Sequence, residues 1–246
     1  MTVRKPGWTF VLVHGAFHGG WCWRRVSAIL AANGHSVYTP TLTGHGERRH
    51  LATSETGLDT HIEDVSALIH FEALDHVVLV GHSYGGVVIT GVAARMASRI
   101  HRLVYLDAIV PEPGDSSISL MDPNFGPVIQ QAASLNDPPW LVPVFDIGRY
   151  RVTEPEDLSW LASRLTPQPL KAISDPLPAA GAEDLDTIPR TFIYCTQNHG
   201  AASHFGRFAE AFRHRPGWTY AELPTGHDAM ITMPDEVAVL LERAAD

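Results

Sequence analysis

Apolar residues in this chain occur in two kinds of segment, and the two kinds alternate. Short continuous apolar runs, such as Thr9–Val13 and Val77–Val80, are typical of strands buried on both faces of a parallel sheet. Longer segments, such as Trp21–Ala32, carry apolar residues at helical spacing and present one apolar face. This alternation predicts an α/β fold with a mostly parallel sheet flanked by helices.

The same patterns place the remaining elements of the predicted core. We expect strands at Val37–Thr41, Arg102–Leu106, Thr191–Cys195 and Trp218–Leu223, and helices at Thr60–Phe71, Val87–Met96, Ser203–Arg213 and from Pro234 to Ala245. Gly34 follows the first helix where a C-terminal capping glycine belongs.

Proline marks a change in composition after Asp107. Thirteen of the 18 prolines lie between Pro111 and Pro189. Dense prolines interrupt long helices, so we expect short helices and loops there. We therefore predict a core of residues 1–110 and 189–246, with residues 111–188 inserted as a cap over the carboxyl end of the sheet. We call residues 111–188 the cap segment.

Gly81-His82-Ser83-Tyr84-Gly85 joins a buried strand to a buried helix. A G-x-S-x-G sequence in that context is the signature of a nucleophile elbow, a turn too tight for side chains two residues on either side of the serine. The turn strains Ser83 and exposes its hydroxyl at the carboxyl end of the strand. The sequence therefore predicts Ser83 as a nucleophile.

A serine hydroxyl needs a base to take its proton. The chain holds 14 histidines, and His227 lies in the loop between the last strand and the last helix. In an open parallel sheet that loop reaches the same carboxyl edge as the elbow, and the order of serine before histidine fits this architecture. We predict His227 as the general base.

A carboxylate should orient the base and stabilise its imidazolium form. The usual place for this acid is the loop after the second-last strand, but no Asp or Glu occurs between Thr191 and Ala209. Asp107 ends the neighbouring strand at the same edge, so we predict Asp107 as the acid. Asn198 and His199 occupy the usual position and remain candidates for orienting His227.

Two backbone N–H groups are needed to hold the developing oxyanion. One is predicted at Tyr84, directly after the nucleophile. The other is predicted at Ala16 or Phe17, in the glycine-rich loop that follows the first strand. For the substrate pocket we expect apolar lining from the cap segment together with His14 from that loop. The expected cap residues are Met121, Phe125, Trp140, Leu141, Phe145 and Trp160.

Composition and charge exclude several other classes of protein. The 246 residues suffice for one large core, and a net charge of −9 argues against nucleic acid or anionic membrane as partner. No apolar run approaches membrane-spanning length, and the segment before the first strand is too short for a signal peptide. Two cysteines indicate no disulfide framework, so we expect a cytoplasmic location.

Cofactor and metal signatures are missing from the sequence. It has no nucleotide-binding glycine motif and no cysteine cluster, and Gly15 between His14 and His18 argues against a helical zinc pair. We therefore expect no cofactor and no metal, with a small molecule as substrate. A homodimer is compatible with the sequence.

The motifs together resemble the α/β-hydrolase superfamily. Phe10–Trp23, with the sequence FVLVHGAFHGGWCW, is similar to the opening of the plant methyl esterase and hydroxynitrile lyase family, and the resemblance continues through GHSYGG and RLVYLDA to GHDAM. Bacterial esterases that act on ester or carbamate xenobiotics are similar as well. The resemblance implies Ser83 and His227 as nucleophile and base, and Ala16 and Tyr84 as oxyanion donors.

The resemblance also separates esterases from lyases. The lyases carry Thr after the first His of the opening motif and Lys after the catalytic His, where this chain has Gly15 and Asp228. The resemblance therefore favours hydrolysis of a small carboxylic ester, with amide and carbamate bonds left open. Cyanohydrin cleavage and a ligand-binding receptor of the same fold are the alternative functions.

Overall fold

The computed structural model describes residues 7–144, 146–179, 182–197 and 204–246. Its main sheet has six strands, and every pair of neighbours is parallel. The strands in chain order are β1 (Thr9–Val13), β2 (Ser36–Tyr38), β3 (Val77–His82), β4 (Ile100–Leu106), β7 (Arg190–Cys195) and β8 (Trp218–Leu223). Two short cap strands, β5 (Leu141–Val142) and β6 (Gln168–Pro169), pair antiparallel.

Helices cover both faces of the sheet, as the alternating pattern predicts. The helices associated with the core are α1 (Arg24–Ala32), α2 (Leu58–Phe71), α3 (Gly85–Met96), α8 (His204–Phe212), α9 (Ala229–Thr232) and α10 (Pro234–Ala245). Two apolar clusters form the core, one on each face of the sheet. None of the described helices is both long enough and apolar enough to cross a bilayer.

The strand order is β2-β1-β3-β4-β7-β8. β3 therefore lies in the middle of the sheet, between β1 and β4. The loops after β1, β3, β4 and β8 all open at the carboxyl edge, because all of these strands run in the same direction. This order places the elbow, the glycine-rich loop and Asp107 next to one another.

The cap segment contains short elements, as its proline content predicts. Its helices are α4 (Ser117–Leu120), α5 (Phe125–Ser134), α6 (Pro155–Ala162) and α7 (Leu170–Ser174). Its contact with the loop after β1 is direct, because Thr166 N–H donates to the carbonyl oxygen of Phe17 at 2.9 Å. A part of the cap segment therefore reaches the loop that is predicted to supply an oxyanion donor.

Several predicted boundaries need correction. The first helix begins at Arg24 and not at Trp21, because Gly20–Trp23 forms a separate 3-10 turn. β2 ends at Tyr38, before Pro40, which has no N–H for a ladder hydrogen bond. Gly34 has φ +94° after α1, as expected of a capping glycine.

Candidate active site

Ser83 occupies the turn between β3 and α3 with φ 54°, in the left-handed region that a serine rarely adopts. A Cβ on Gly81 would lie 2.5 Å from the carbonyl oxygen of Gly85, and a Cβ on Gly85 would lie 2.7 Å from that of Val13. Neither position admits a side chain. The Ser83 carbonyl accepts a hydrogen bond from Gly86 N–H at 3.0 Å, which helps to hold the strained residue in place.

Asp107 and His227 form a buried hydrogen-bonded pair. Nδ1 of His227 donates to Oδ2 of Asp107 at 2.7 Å, and the other carboxylate oxygen accepts from Cys195 N–H at 3.2 Å. The Asp107 side chain is fully buried, and His227 is 6% exposed. Because Nδ1 carries the donated proton, Nε2 of a neutral His227 is the unprotonated ring nitrogen, which can act as a base.

Ser83 and His227 line the same cavity, whose volume is about 530 Å³. Met121 and Phe125 of the cap segment form part of its wall. Phe205 of α8 also lines the cavity and stacks on the His227 ring, with ring centroids 4.7 Å apart. The nucleophile and base candidates therefore share one chamber with an apolar wall.

Four of the expected pocket residues lie outside the wall of this cavity. His14 is fully buried, its Nδ1 donating to the Gly15 carbonyl at 2.8 Å and its Nε2 accepting from Leu42 N–H at 3.0 Å. Trp160 packs edge-on against Trp21, with ring centroids 5.1 Å apart.

Trp140 and Leu141 belong to the end of the cap segment that pairs with β6. The Trp140 carbonyl accepts from Leu170 N–H at 2.9 Å, and Leu141 is opposite Pro169 in the ladder. In a short inserted segment many apolar side chains pack internally or against the core, so apolarity alone does not select cavity residues. Phe145, Asn198 and His199 lie outside the described residues.

The N–H groups of Ala16 and Tyr84, both predicted oxyanion donors, differ from the Phe17 N–H in their hydrogen bonding. Within the described part of the chain, Ala16 N–H and Tyr84 N–H have no hydrogen-bond acceptor. Phe17 N–H, by contrast, donates to Oε1 of the Gln168 side chain at 3.3 Å. Of the two alternatives in this loop, the geometry therefore favours Ala16 as the oxyanion donor.

A second buried histidine–carboxylate pair adjoins the first. Nε2 of His18 lies 3.0 Å from Oδ2 of Asp228, the residue that follows His227. His82 Nε2 donates to the His227 carbonyl at 3.0 Å and lies 3.9 Å from Oδ1 of Asp228. His18 also lines the cavity. The loop that carries the candidate base is thus held by two buried histidines.

His82, His227 and Asp228 are the one group of potential metal ligands found among the described residues, with ligand atoms within 4.8 Å of one another. Several of their polar atoms already have protein partners. His227 Nδ1 is bonded to Asp107, and Asp228 Oδ2 to His18. Because these atoms are engaged in hydrogen bonds within the protein, we assign no metal to this group.

A parallel sheet, an elbow serine and a buried histidine–aspartate pair at the carboxyl edge define an α/β hydrolase. Residues 10–240 match the alpha/beta hydrolase family, and the chain belongs to that family. The protein is accordingly an α/β-fold hydrolase, and its relatives include named esterases.

Two relatives in sequence and one in structure illustrate this. The chain is 42% identical over 236 residues to a carbendazim hydrolyzing esterase of Nocardioides sp. (strain SG-4G), covering 93% of this chain and 96% of that protein. It is 28% identical to salicylic acid-binding protein 2 of Nicotiana tabacum, covering 83% and 84%. Its fold is similar to that of an extracellular α/β-hydrolase from a Paenibacillus species, with TM-score 0.85, 23% identity and coverage of 96% and 98%.

The sequence interpretation missed several residues around the cavity. His18 and Asp228 could have been paired by the argument that selected Asp107, because both lie in loops at the carboxyl edge. Arg149, Tyr150, His204 and Phe205 line the cavity but carry no distinguishing pattern in the sequence. Their position depends on how the cap segment and α8 pack over the sheet.

Proposed function

We propose that this protein is a serine hydrolase that cleaves a small carboxylic ester through an acyl-enzyme intermediate. Ser83 is the nucleophile, His227 the general base and Asp107 the residue that orients the base. The observation that carries the proposal is the 2.7 Å hydrogen bond from His227 to Asp107, combined with the shared cavity of His227 and Ser83. With its proton on Nδ1, His227 can take the serine proton at Nε2.

The reaction follows from these roles. Ser83 Oγ attacks the ester carbonyl carbon while His227 takes the hydroxyl proton, and the carbonyl oxygen becomes an oxyanion held by Ala16 N–H and Tyr84 N–H. The intermediate collapses, and His227 gives its proton to the departing alkoxide, which leaves as the alcohol. Water, activated by the same His227, then attacks the acyl-serine and releases the carboxylic acid.

Hydrolysis is favoured over cyanohydrin cleavage by the surroundings of two residues. A Cβ on Gly15 would lie 2.8 Å from the Ser83 Cβ and 2.9 Å from Nδ1 of His82, so the threonine of the lyases does not fit here without displacement. Asp228 stands where the lyases have their lysine, and it is bound to His18. This site therefore offers no cation from that position for a departing cyanide.

The cavity supports a substrate that is a small molecule with an apolar group. Phe17, Met121, Phe125, Ile129 and Phe205 give its wall apolar and aromatic surface, and Asn124 and Arg149 add polar groups. A second candidate is hydrolysis of a carbamate, because a relative with 42% identity is named a carbendazim hydrolyzing esterase. Carbamate cleavage would use the same serine attack on a carbonyl carbon.

The test is an activity panel of p-nitrophenyl acetate, an aromatic methyl ester and carbendazim, with mandelonitrile as the lyase substrate. We expect turnover of at least one ester or carbamate and none of the cyanohydrin. Ser83→Ala should remove that turnover, while the matched control Ser54→Ala, an exposed serine, should retain it. Wild-type turnover by the Ser83→Ala protein, or faster release of cyanide than of any ester product, would overturn the proposal.

A further inference from the structure

His18 faces hydrogen-bond acceptors on both of its ring nitrogens. Nδ1 lies 2.8 Å from the Ala16 carbonyl oxygen, and Nε2 lies 3.0 Å from Oδ2 of Asp228. A carbonyl has no proton to donate, and neither has an ionised carboxylate, so each ring nitrogen must supply its own. With Asp228 ionised, this geometry places a His18 imidazolium beside an Asp228 carboxylate.

Both members of this pair are buried away from water. His18 is 1% exposed and Asp228 is fully buried. A buried charge without a partner is strongly unfavourable, so the proton on His18 depends on Asp228. Burial alone would lower the pKa of His18, but the charge of Asp228 and the hydrogen bond to it outweigh burial and raise that pKa. The pKa of Asp228 is lowered despite its burial, chiefly by the charge of His18.

The acceptor of the Nδ1 proton belongs to the loop that carries the oxyanion donor. The Ala16 carbonyl and the Phe17 N–H are the two ends of one peptide group. His18 donates to the carbonyl oxygen of this peptide group, and the Gln168 side chain accepts from its N–H at 3.3 Å. Phe17 has φ +68°, an unfavourable value for a phenylalanine that such anchors can maintain.

We propose that His18, kept protonated by Asp228, is a positioning residue that fixes the oxyanion loop so that Ala16 N–H faces the oxyanion. The inference rests on the proposed serine hydrolase function and adds a second histidine–aspartate pair to it. His18 acts through Ala16 and takes no part in proton transfer to the substrate.

The proton on His18 can be followed separately, because the titratable groups around it do not change charge in the same pH range. Those facing His18, besides Asp228, are His14, His45, His82 and Tyr150, and Cys22 faces Asp228. Burial lowers the pKa values of His14, His45 and His82 and raises those of Cys22 and Tyr150. These neighbours are therefore neutral above 6.5, the ordinary histidine value, on the side to which the pKa of His18 is raised.

Two substitutions of His18 separate positioning from packing. His18→Leu removes both hydrogen bonds, whereas the amide nitrogen of His18→Asn stands near the place of Nδ1 and can still donate to Ala16. We expect His18→Leu to lower kcat by about 10- to 100-fold with little change in KM, because less of the oxyanion stabilisation is retained. His18→Asn should retain several-fold more activity than His18→Leu. Equal losses in both variants would contradict the proposal.

Asp228→Asn tests the charge directly. Nitrogen NMR of the labelled histidine rings should show His18 doubly protonated near neutral pH in the wild type and singly protonated in Asp228→Asn. The alkaline limb of the kcat profile should move to lower pH in the same variant. Glu242→Gln is the matched control, because it removes the carboxylate charge from another histidine contact, with His35 at 3.0 Å, outside the cavity wall.

The outcomes distinguish this inference from the proposed function. A neutral His18 in the wild type, or an Asp228→Asn enzyme with an unchanged pH profile and only reduced thermal stability, would overturn the positioning role. Loss of the proposed function itself would instead show as hydrolysis that does not depend on Ser83. The ring spectra report the charge of His18 in either case.

Discussion

Asp107 Oδ2 and His227 Nδ1 lie 2.7 Å apart although 120 residues separate them in the chain. The contact joins the end of β4 to the loop after β8, with β7 between the two strands. The backbone of Asp107 is in the left-handed region, with φ 42°, and its N–H donates to the Ile193 carbonyl at 2.7 Å. These contacts aim the carboxylate at the histidine from the strand next to the elbow.

Replacing Asp107 by asparagine should therefore cost activity and not merely stability. An amide at this position favours the wrong tautomer of His227 and leaves its imidazolium form unsupported, so we expect kcat to fall by about 10⁴. Steady-state hydrolysis of the preferred ester measures this. His199→Ala, at the usual position of the acid, should lose far less. A fully active Asp107→Asn enzyme would contradict the assignment.

The elbow glycines should tolerate no side chain. The Cβ of Gly85→Ala would meet backbone oxygens at 2.7 and 2.8 Å, which are fixed in the core and cannot move away cheaply. We expect a loss of about 1–3 kcal/mol in the free energy of unfolding. Gly148→Ala is the control, since the nearest atom to its Cβ would lie at an ordinary 3.4 Å. Thermal unfolding of both variants should show a lower Tm for Gly85→Ala alone.

The corrected cavity wall predicts which aromatic residues affect substrate binding. Phe125 lines the cavity, whereas Trp160 packs against Trp21 outside it. Phe125→Ala should raise KM by about tenfold with a smaller effect on kcat, because it removes contacts made equally in the ground and transition states. Trp160→Ala should leave KM within about twofold. A larger KM effect from Trp160→Ala would place the substrate elsewhere.

Buried neutral histidines should make the fold sensitive to acid. Burial lowers the pKa of His45 to about 4 and that of His61 to about 3, from 6.5. Below about pH 6.5 the unfolded chain binds protons that the native protein does not, so each of these histidines removes up to about 1.4 kcal/mol of stability per pH unit.

The raised pKa of His18 acts in the opposite sense, since the stability that it contributes is complete below 6.5 and is lost as pH rises through its folded value. His18 therefore cannot offset the loss of stability that His45 and His61 cause between pH 6.5 and about 4. Urea unfolding at about pH 7.5 and about pH 5 should show a clearly lower free energy of unfolding at the lower pH. Equal free energies at the two values would show that these histidines are not held neutral.

The hydrophobic pattern was sufficient to predict most of the core. β1, β8 and α10 begin and end where the pattern places them. β1 is a continuous apolar run buried in the sheet, and α10 starts at a proline. The G-x-S-x-G motif and the positions of His227 and Asp107 just after strands also predicted Ser83, His227 and Asp107 as neighbours. Strands that run in the same direction end at the same edge, so residues just after those strands are brought together whatever their separation in sequence.

The hydrophobic pattern did not predict how side chains pack over the carboxyl edge of the sheet. Which cap residues line the cavity, and whether His18 contacts Asp228, depend on side-chain directions and on contacts between loops. Gln168 reaches Phe17 across 151 positions, and no periodicity encodes that approach. Periodicity specifies which face of an element is buried, whereas the partner of a buried polar group is fixed by close packing in three dimensions. The sequence by itself thus determined the sheet and the candidate triad, and only the tertiary structure decided the cavity wall and the second histidine–aspartate pair.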